Sequence, residues 1–362
     1  LHSDTGRAYL EFVTLAYIPP TIAGVVLAYR KKYLLGGIVT ALFIALQIQS
    51  NHIQMSYYFM FVILFFVGAY FEDAYKKKEL PHFFKASGVL ALAAVVGVCI
   101  NISNLYHTYE YSKETMRGKS ELKQEGAAAS QTSSGLDRDY ITNWSYGIGE
   151  TLTLLVPNVK GGGSGSTMSQ SEAAMAKANP MYNGIYSQLP QYFGEQPWTA
   201  GPVYVGAFVM FLFVLGCFIV KGPLKWALLG ATIFSILLSW GKNFMGLTDF
   251  FIDYVPMYNK FRAVSSILVI AEFTIPLLAI FALKEILSKP DMLKQEKNCR
   301  GVIAALVLTA GVALILAVAP GTFFSSFITT QEMTALKQAL PAEHLAPFVA
   351  NLTEMREAII AS

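Results

Sequence analysis

The segment 258–262 reads Tyr-Asn-Lys-Phe-Arg and carries residue types that hold a phosphate group. Arginine binds phosphate through two parallel N–H donors, whereas lysine acts as a point charge. Lys242 lies upstream in the same connection, whose apolar side chains indicate that it runs along a membrane surface. We therefore expect Lys260 and Arg262 to bind a lipid-linked phosphate or diphosphate, and Asn259 beside them to contact the substrate. The alternative interpretation is that these cations contact ordinary lipid headgroups.

A second polar group follows an apolar stretch and contains three amides. Gln47, Asn51 and Gln54 are spaced i, i+4 and i+7, so a continuing helix would place them on one face. Amides bind hydroxyls and carbonyls, and His52 beside them could donate or accept a proton. We expect this polar end and segment 258–262 to open onto the same cavity. The alternative is a tight turn whose polar groups face water.

Glu272 is a carboxylate within another apolar stretch, near the middle of a predicted helix. A lone carboxylate at membrane depth is costly unless it is neutral, paired or facing water. We interpret Glu272 as a functional residue. The alternative is a protonated glutamic acid that hydrogen-bonds between helices.

The sequence contains eight apolar stretches, and the helices that they form must hold these polar residues in place. Each has close to the roughly 20 residues that cross a bilayer core as a helix. Because that core lacks water, backbone groups must bond within each segment, so the sequence predicts an all-α polytopic transmembrane helical bundle. Pro19 and Pro20 predict a kink or a break in the first helix. The predicted spans are 12–29, 33–49, 55–71, 87–105, 202–220, 224–240, 265–283 and 301–319.

The charge pattern indicates orientation. Charged residues make up 14% of the chain, against about 25% in soluble domains, and the net charge of +3 is too small to indicate nucleic-acid binding. Lysine and arginine cluster after the first, third, fifth and seventh predicted helices, hence on one side if the helices alternate. The positive-inside rule makes that side cytoplasmic. The expected location is a bacterial inner membrane, with both ends of the sequence outside.

The spans divide the chain into four regions. Residues 1–105 hold helices one to four, and 202–319 hold helices five to eight. Between them, 106–201 form a long extracytoplasmic loop region, and 320–362 form an extracytoplasmic tail with a helical pattern that begins a further domain. We also expect a part before Leu1 with at least one more helix. The three cysteines form no CxxC pair, so neither a metal site nor a disulfide framework is indicated.

Several segments carry a family resemblance: 51–55 (Asn-His-Ile-Gln-Met), 144–147 (Trp-Ser-Tyr-Gly), 150–152 (Glu-Thr-Leu), 157–158 (Pro-Asn) and 258–262. They resemble the bacterial YfhO family of integral membrane proteins, most closely its Bacteroidota-type members, over nearly the whole chain. Family members are much longer. The family is similar to the GT-C class of polytopic glycosyltransferases, which transfer a sugar from a polyprenyl-phosphate donor to an acceptor on the outer face. In Gram-positive relatives the resemblance implies sugar decoration of a cell-envelope polymer.

The resemblance implies roles for individual residues. A carboxylate must deprotonate the acceptor hydroxyl; Glu150 and Glu110 are the external candidates, with the main base expected before Leu1. Trp144 and Tyr146 would stack on the sugar beside Glu150, which could instead be an acidic residue in a solvated loop. The remaining implied ligands are Asn51, His52 and Gln54 for the sugar or acceptor, and Lys260 and Arg262, with Arg117 and Lys242 as weaker candidates, for the phosphate.

Three functions therefore compete. The first is glycosyl transfer from a lipid-linked sugar to a cell-envelope glycan or polymer. The second is a transporter or flippase for a lipid-linked or small polar substrate, with Pro19, Pro20, Gln47 and Glu272 marking its path. The third is an accessory subunit of envelope glycosylation without activity of its own. No metal-ligand spacing such as HExxH stands out in the sequence, so a divalent metal is neither required nor excluded.

Overall fold

The computed structural model describes residues 11–115 and 135–362, and within these ranges the chain forms helices and no β-strand. The all-α prediction is confirmed for this part of the chain. The main helices in chain order are α1 (Glu11–Tyr29), α2 (Tyr33–Gln49), α3 (Ile53–Lys77), α4 (Leu80–Ile100), α5 (Ile102–Lys113), α6 (Ala207–Ile219), α7 (Pro223–Ser239), α8 (Met245–Tyr254), α9 (Val269–Ser288), α10 (Glu296–Val318), α11 (Thr330–Ala339) and α12 (Ala342–Ala361).

Five of the described helices are long and apolar enough to cross a membrane: α1, α3, α4, α10, and α9 with the turn before it. A sixth crossing is added if α7 and α8, which meet at a bend of 108°, form one span. The other two predicted spans are helical but shorter, with 17 residues in α2 and 13 in α6. The chain is therefore an apolar multi-helix protein of the membrane type, with five or six span candidates where the sequence suggested eight.

Two of the predicted span boundaries that differ from the structure have a clear local reason. The span expected to begin at residue 202 begins at Ala207, because Gly206 before it has a φ of +96° that a helix cannot contain. The span expected to reach residue 105 ends at Ile100, and α5 starts a separate helix after Asn101. The Asn101 side chain donates to the carbonyl of Ala45 at 2.9 Å, which ties the break to α2.

The described residues fold into two compact units. The first unit contains the described residues up to Ile141, together with Lys221–Ser235 and Asp249–Arg262. The second contains Thr142–Val220, Ile236–Thr248 and Ala263–Ser362. The units interleave along the chain, so they divide it differently from the four consecutive regions drawn from the sequence.

In the first unit, α1 and α2 approach each other backbone to backbone. A Cβ atom added at Gly36 would lie 2.5 Å from the backbone nitrogen of Ala28, and one at Gly24 would lie 2.8 Å from that of Thr40. Small residues allow such close packing between apolar helices. The prolines of α1 are accommodated nearby, because the helix is interrupted at Tyr17 and restarts at Ile18 with proline in its first turn. The break predicted at Pro19 and Pro20 is therefore confirmed, and it is limited to the turn at Tyr17.

In the second unit, the tail helices pack against the loop region rather than standing apart. Buried apolar side chains of α11 and α12, including Leu336, Phe348 and Leu352, share one core with Met168 and Tyr186 from the loop. The helical pattern predicted for the tail is confirmed. The tail therefore contributes to the fold of the second unit.

A buried ion pair joins the two tail helices. The guanidinium of Arg356, which is fully buried on α12, donates to both carboxylate oxygens of Glu332 on α11 at 2.7 and 2.6 Å. It also donates to the carbonyl of Phe327 at 2.6 Å and covers the ring of Phe193. Two parallel hydrogen bonds to a carboxylate fix orientation as well as distance.

Candidate functional site

The structure brings the two polar segments singled out in the sequence into contact within the first unit. The side-chain nitrogen of Gln54 donates to the backbone carbonyl of Arg262 at 2.7 Å and to the hydroxyl of Tyr58 at 2.9 Å. The ring of Tyr57, on the same turn of α3, lies 5.0 Å from the ring of Phe261. Gln54, which follows the second predicted span, therefore contacts segment 258–262, whereas the shared cavity expected for the two segments stays a prediction.

The three candidate substrate-binding residues of that segment have different surroundings. Arg262 is exposed, and its guanidinium donates to the hydroxyl of Tyr140 at 2.8 Å. Lys260 is half-buried, and its partial desolvation lowers the pKa of its amine. Asn259 uses its backbone carbonyl to accept the N–H of Leu136 at 3.0 Å. Arg262 is therefore the cation most accessible to a large anion.

A neighbouring arginine was missed in the sequence. Arg138 forms ion pairs with Asp249 and with Asp253, the latter at 2.6 Å. These aspartates lie one helical turn apart on α8, so one guanidinium reaches both. The single positive charge of Arg138 offsets half of their combined negative charge. The spacing of the two aspartates was the signal that the sequence offered.

The amide stripe expected across residues 47–54 does not form. α2 ends at Gln49, and Asn51 occupies a left-handed turn with a φ of +62°. Asparagine tolerates this conformation better than most residues, so it ends the helix that the spacing argument required to continue. Gln47 is buried, Asn51 is exposed, and His52 is half-buried at the start of α3. Gln54 is the amide that contacts segment 258–262, through the carbonyl of Arg262.

Glu110 lies on α5, a helix with no fully buried residue. Its carboxylate accepts from Lys113 at 2.7 Å, and both side chains are nearly half exposed. This arrangement is an ordinary surface ion pair one helical turn long. Arg117, the other candidate from this stretch, lies outside the described residues.

In the second unit, Glu150 is a loop-organising carboxylate. It is 2% exposed and accepts three hydrogen bonds, from the Tyr192 hydroxyl at 2.5 Å and from the backbone N–H groups of Gly147 at 2.6 Å and Glu195 at 3.2 Å. Burial raises the pKa of Glu150, although these bonds oppose the shift. Gly194 passes so close that an added Cβ would lie 2.0 Å from Oε1. Glu150 is therefore enclosed by protein atoms. This geometry suits a residue that holds the surrounding backbone in place better than one that exchanges a proton with a substrate.

The aromatic residues beside Glu150 are also structural. Tyr146 is 2% exposed, its hydroxyl lies 2.6 Å from that of Thr153, and burial raises its pKa to about 12. Trp144 is half-buried and donates to the carbonyl of Trp198 at 3.3 Å. Tyr146 has no exposed face on which a sugar ring could stack, contrary to its expected role. Trp198, with 58% of its surface exposed, offers such a face instead.

A cavity of about 400 Å³ lies next to this cluster, entirely within the second unit. A volume of this size suits a small ligand. Its charged residues are Lys160, Glu195 and Lys242, and the Lys242 amine lies 4.0 Å from the Glu195 carboxylate. The uncharged polar residues that line it are Gln196, Ser326, Thr329, Thr330 and Gln331.

Two of the charged cavity residues were missed. The Glu195 side chain is 43% exposed, so it can meet a ligand in a way that Glu150 cannot. The Lys160 amine covers the rings of Phe324 and Phe193, and burial lowers its pKa. Glu195 follows a glycine in the aromatic, proline-rich part of the loop region, which was the one sequence signal available. Lys242 was predicted and does line the cavity.

Glu272 is not in the middle of a helix. It lies in the first turn of α9, and it is exposed. Five residues of 3₁₀ geometry, Val264–Leu268, precede that turn, so the α-helix begins later than the apolar pattern suggested. A carboxylate in a first turn is stabilised by the helix dipole, which lowers the cost expected at membrane depth.

No group of three His, Cys, Asp or Glu side chains arranged to hold a metal ion occurs in residues 11–115 and 135–362. Comparisons of the chain with protein-family models, with curated proteins and with solved structures gave no match.

Proposed function

We propose that this chain is a membrane glycosyltransferase of GT-C type that transfers a sugar from a polyprenyl-phosphate donor to a cell-envelope acceptor on the outer face of a bacterial inner membrane. The observation that carries the proposal is the cavity beside Glu195. Its hydroxyl and amide side chains can hydrogen-bond to the hydroxyls of a sugar. Its carboxylate can accept the proton of the acceptor, and its lysines can stabilise the negative charge on the departing phosphate. The resemblance of segments 51–55, 144–147 and 258–262 to the YfhO family supports the same class.

In this mechanism Glu195 accepts the proton of the acceptor hydroxyl while the hydroxyl oxygen forms a bond to the anomeric carbon. The bond from that carbon to the phosphate oxygen breaks, and the phosphate leaves with the electron pair. Lys160 and Lys242 stabilise the negative charge that develops on the leaving oxygen. Glu150 holds the backbone of Glu195 in place through its hydrogen bond.

Within the first unit, the cluster around Arg262 is suited by itself to contact the headgroup of a membrane lipid. An exposed guanidinium beside a half-buried lysine suits a phosphate at a membrane surface. Tyr140, through its bond to the guanidinium, would fix the direction in which Arg262 points.

The proposal is tested by Glu195→Gln. This variant keeps the shape of the side chain but cannot accept a proton, so transfer of a radiolabelled hexose from polyprenyl-phosphate hexose to envelope material should fall about 10²- to 10⁴-fold. The measurement is made on membranes that contain equal amounts of each protein. Glu354→Gln, an exposed carboxylate on α12, is the matched control and should leave transfer unchanged. Full activity in Glu195→Gln would contradict the proposed base.

A transporter or flippase is the second candidate, and the 108° bend between α7 and α8 favours it. Interrupted helices form substrate sites in many transporters. The same labelled donor distinguishes the two functions, because a flippase moves it across a vesicle membrane without cleaving the bond between sugar and phosphate.

A further inference from the structure

A cavity of about 510 Å³ lies at one end of the first unit and shares no residue with the cavity beside Glu195. Its wall comes from three places in the chain: the turn between α1 and α2, the end of α3 with the start of α4, and the start of α7. Each contributes at least one cation. The cations that line it are Arg30, Lys31, Lys77 and Lys221.

Positive charge is in excess in this cavity. Lys31 pairs with Glu79 at 3.2 Å, and Lys77 pairs with Asp73 at 2.7 Å, and these are the two carboxylates in the lining. Among the described residues, Lys221 has no carboxylate within 4 Å. The four cations and two carboxylates leave a net charge of +2, with Lys221 and Arg30 as its source.

The aromatic wall behind these cations is held rigidly. The rings of Tyr29 and Tyr70 stack at 4.4 Å, and Arg30 lies close to Tyr70. Both ring nitrogens of His82 are engaged, one with the carbonyl of Tyr29 at 2.8 Å and the other with the hydroxyl of Tyr33 at 2.7 Å. Exposed cations in front of a hydrogen-bonded aromatic wall are suited to an anion that arrives from outside.

We propose that this cavity binds a phosphate-bearing anion, held by Arg30 and Lys221. The wall is built from the ends of membrane-spanning candidates α1, α3 and α4, where phospholipid headgroups are found. Arginine forks two N–H donors onto phosphate oxygens, and lysine adds a point charge. The cavity volume exceeds that of a bare phosphate, which favours the headgroup of an anionic phospholipid over free phosphate as the source.

The test compares wild type with Arg30→Gln/Lys221→Gln, each delipidated in neutral detergent. Native mass spectrometry measures binding of three probes: short-chain phosphatidylglycerol, short-chain phosphatidylcholine and inorganic phosphate. We expect wild type to bind phosphatidylglycerol at least about tenfold more tightly than phosphatidylcholine, because both lipids carry a phosphate but the excess positive charge of the cavity repels the choline cation. We expect the double variant to lose that preference. Lys294→Gln/Lys297→Gln, which removes the same charge elsewhere, should keep the preference.

The three probes identify the source of the phosphate. Binding of phosphatidylglycerol alone supports a lipid headgroup, and equal binding of inorganic phosphate supports a soluble phosphate at the same site. If the double variant binds neither phosphatidylglycerol nor inorganic phosphate and unfolds at the wild-type temperature, the result supports Arg30 and Lys221 as the phosphate-binding residues. If the double variant binds every probe as wild type does, or if the charge control loses binding equally, the proposal is wrong.

Discussion

At the scale of single residues, neighbouring glutamates of one loop region take opposite roles. Glu150 is enclosed and receives three hydrogen bonds, whereas Glu195 faces the cavity with a lysine beside it. The sequence identified Glu150, because it lies among aromatic residues. It could not identify Glu195, because the difference between the two carboxylates arises only in the folded chain. There the N–H of Glu195 donates to Glu150, which lies 45 positions earlier.

Glu150 should make stability depend on pH. Its pKa rises from 4.5 on folding because burial disfavours the charged form. The folded protein therefore holds this proton more strongly than the unfolded chain, and stability falls as the pH rises from 4.5 through the folded pKa. Glu150→Gln is neutral throughout, and its oxygen can still accept from both backbone N–H groups. We expect the stability of this variant to fall less steeply with rising pH, because it lacks the contribution from Glu150.

The measurement is the thermal unfolding temperature in detergent at a series of pH values above 4.5. Glu110→Gln, which removes a carboxylate from a surface pair, serves as the control and should follow the wild-type profile. A Glu150→Gln profile with the wild-type slope would show that Glu150 does not titrate in this way.

At the scale of helices, apolar composition located the spans and single residues decided where they end. Gly206, Asn101 and Asn51 each ended or delayed a helix that hydrophobicity alone would have continued. Spans and their order were therefore predictable from sequence, because burial in lipid depends on composition. The turns were not, because they depend on backbone conformations and on side-chain bonds between helices.

The contact between α1 and α2 should be sensitive to one added methyl group. Gly36→Ala places a Cβ 2.5 Å from the backbone nitrogen of Ala28, which cannot move without shifting α1. We expect a loss of about 1–3 kcal/mol in the free energy of unfolding, measured by denaturation in detergent. Gly88→Ala on α4 meets no atom within 4 Å and should be neutral or stabilising by up to about 1 kcal/mol. Equal effects of the two variants would argue against the close packing.

At the scale of the whole molecule, the positive charges indicate orientation. Three of the basic connections identified in the sequence contribute to one cavity of the first unit, so they lie at one end of it. This grouping agrees with the alternation of helices assumed in the sequence argument. The side of the membrane itself stays a prediction from the charge rule.

The two ends of α2 give a direct test of that orientation. In a chain whose cysteines have been replaced, Gln49→Cys should react with a membrane-impermeant maleimide in spheroplasts, whereas Lys32→Cys should react only after lysis. Both positions are exposed, so a difference reports the membrane and not burial. The reverse pattern would invert the topology and place the cavity beside Arg30 outside.

The buried pair of Arg356 and Glu332 has a consequence for how tightly a ligand could be held. The cavity residues Thr329, Thr330 and Gln331 directly precede Glu332, and the Thr329 hydroxyl accepts the N–H of Glu332 at 3.2 Å. Through its hydrogen bonds to the Glu332 carboxylate and the Phe327 carbonyl, Arg356 therefore fixes the backbone on either side of these cavity residues. A sugar that binds there would meet groups already immobilised, and little conformational entropy would be lost in ordering them.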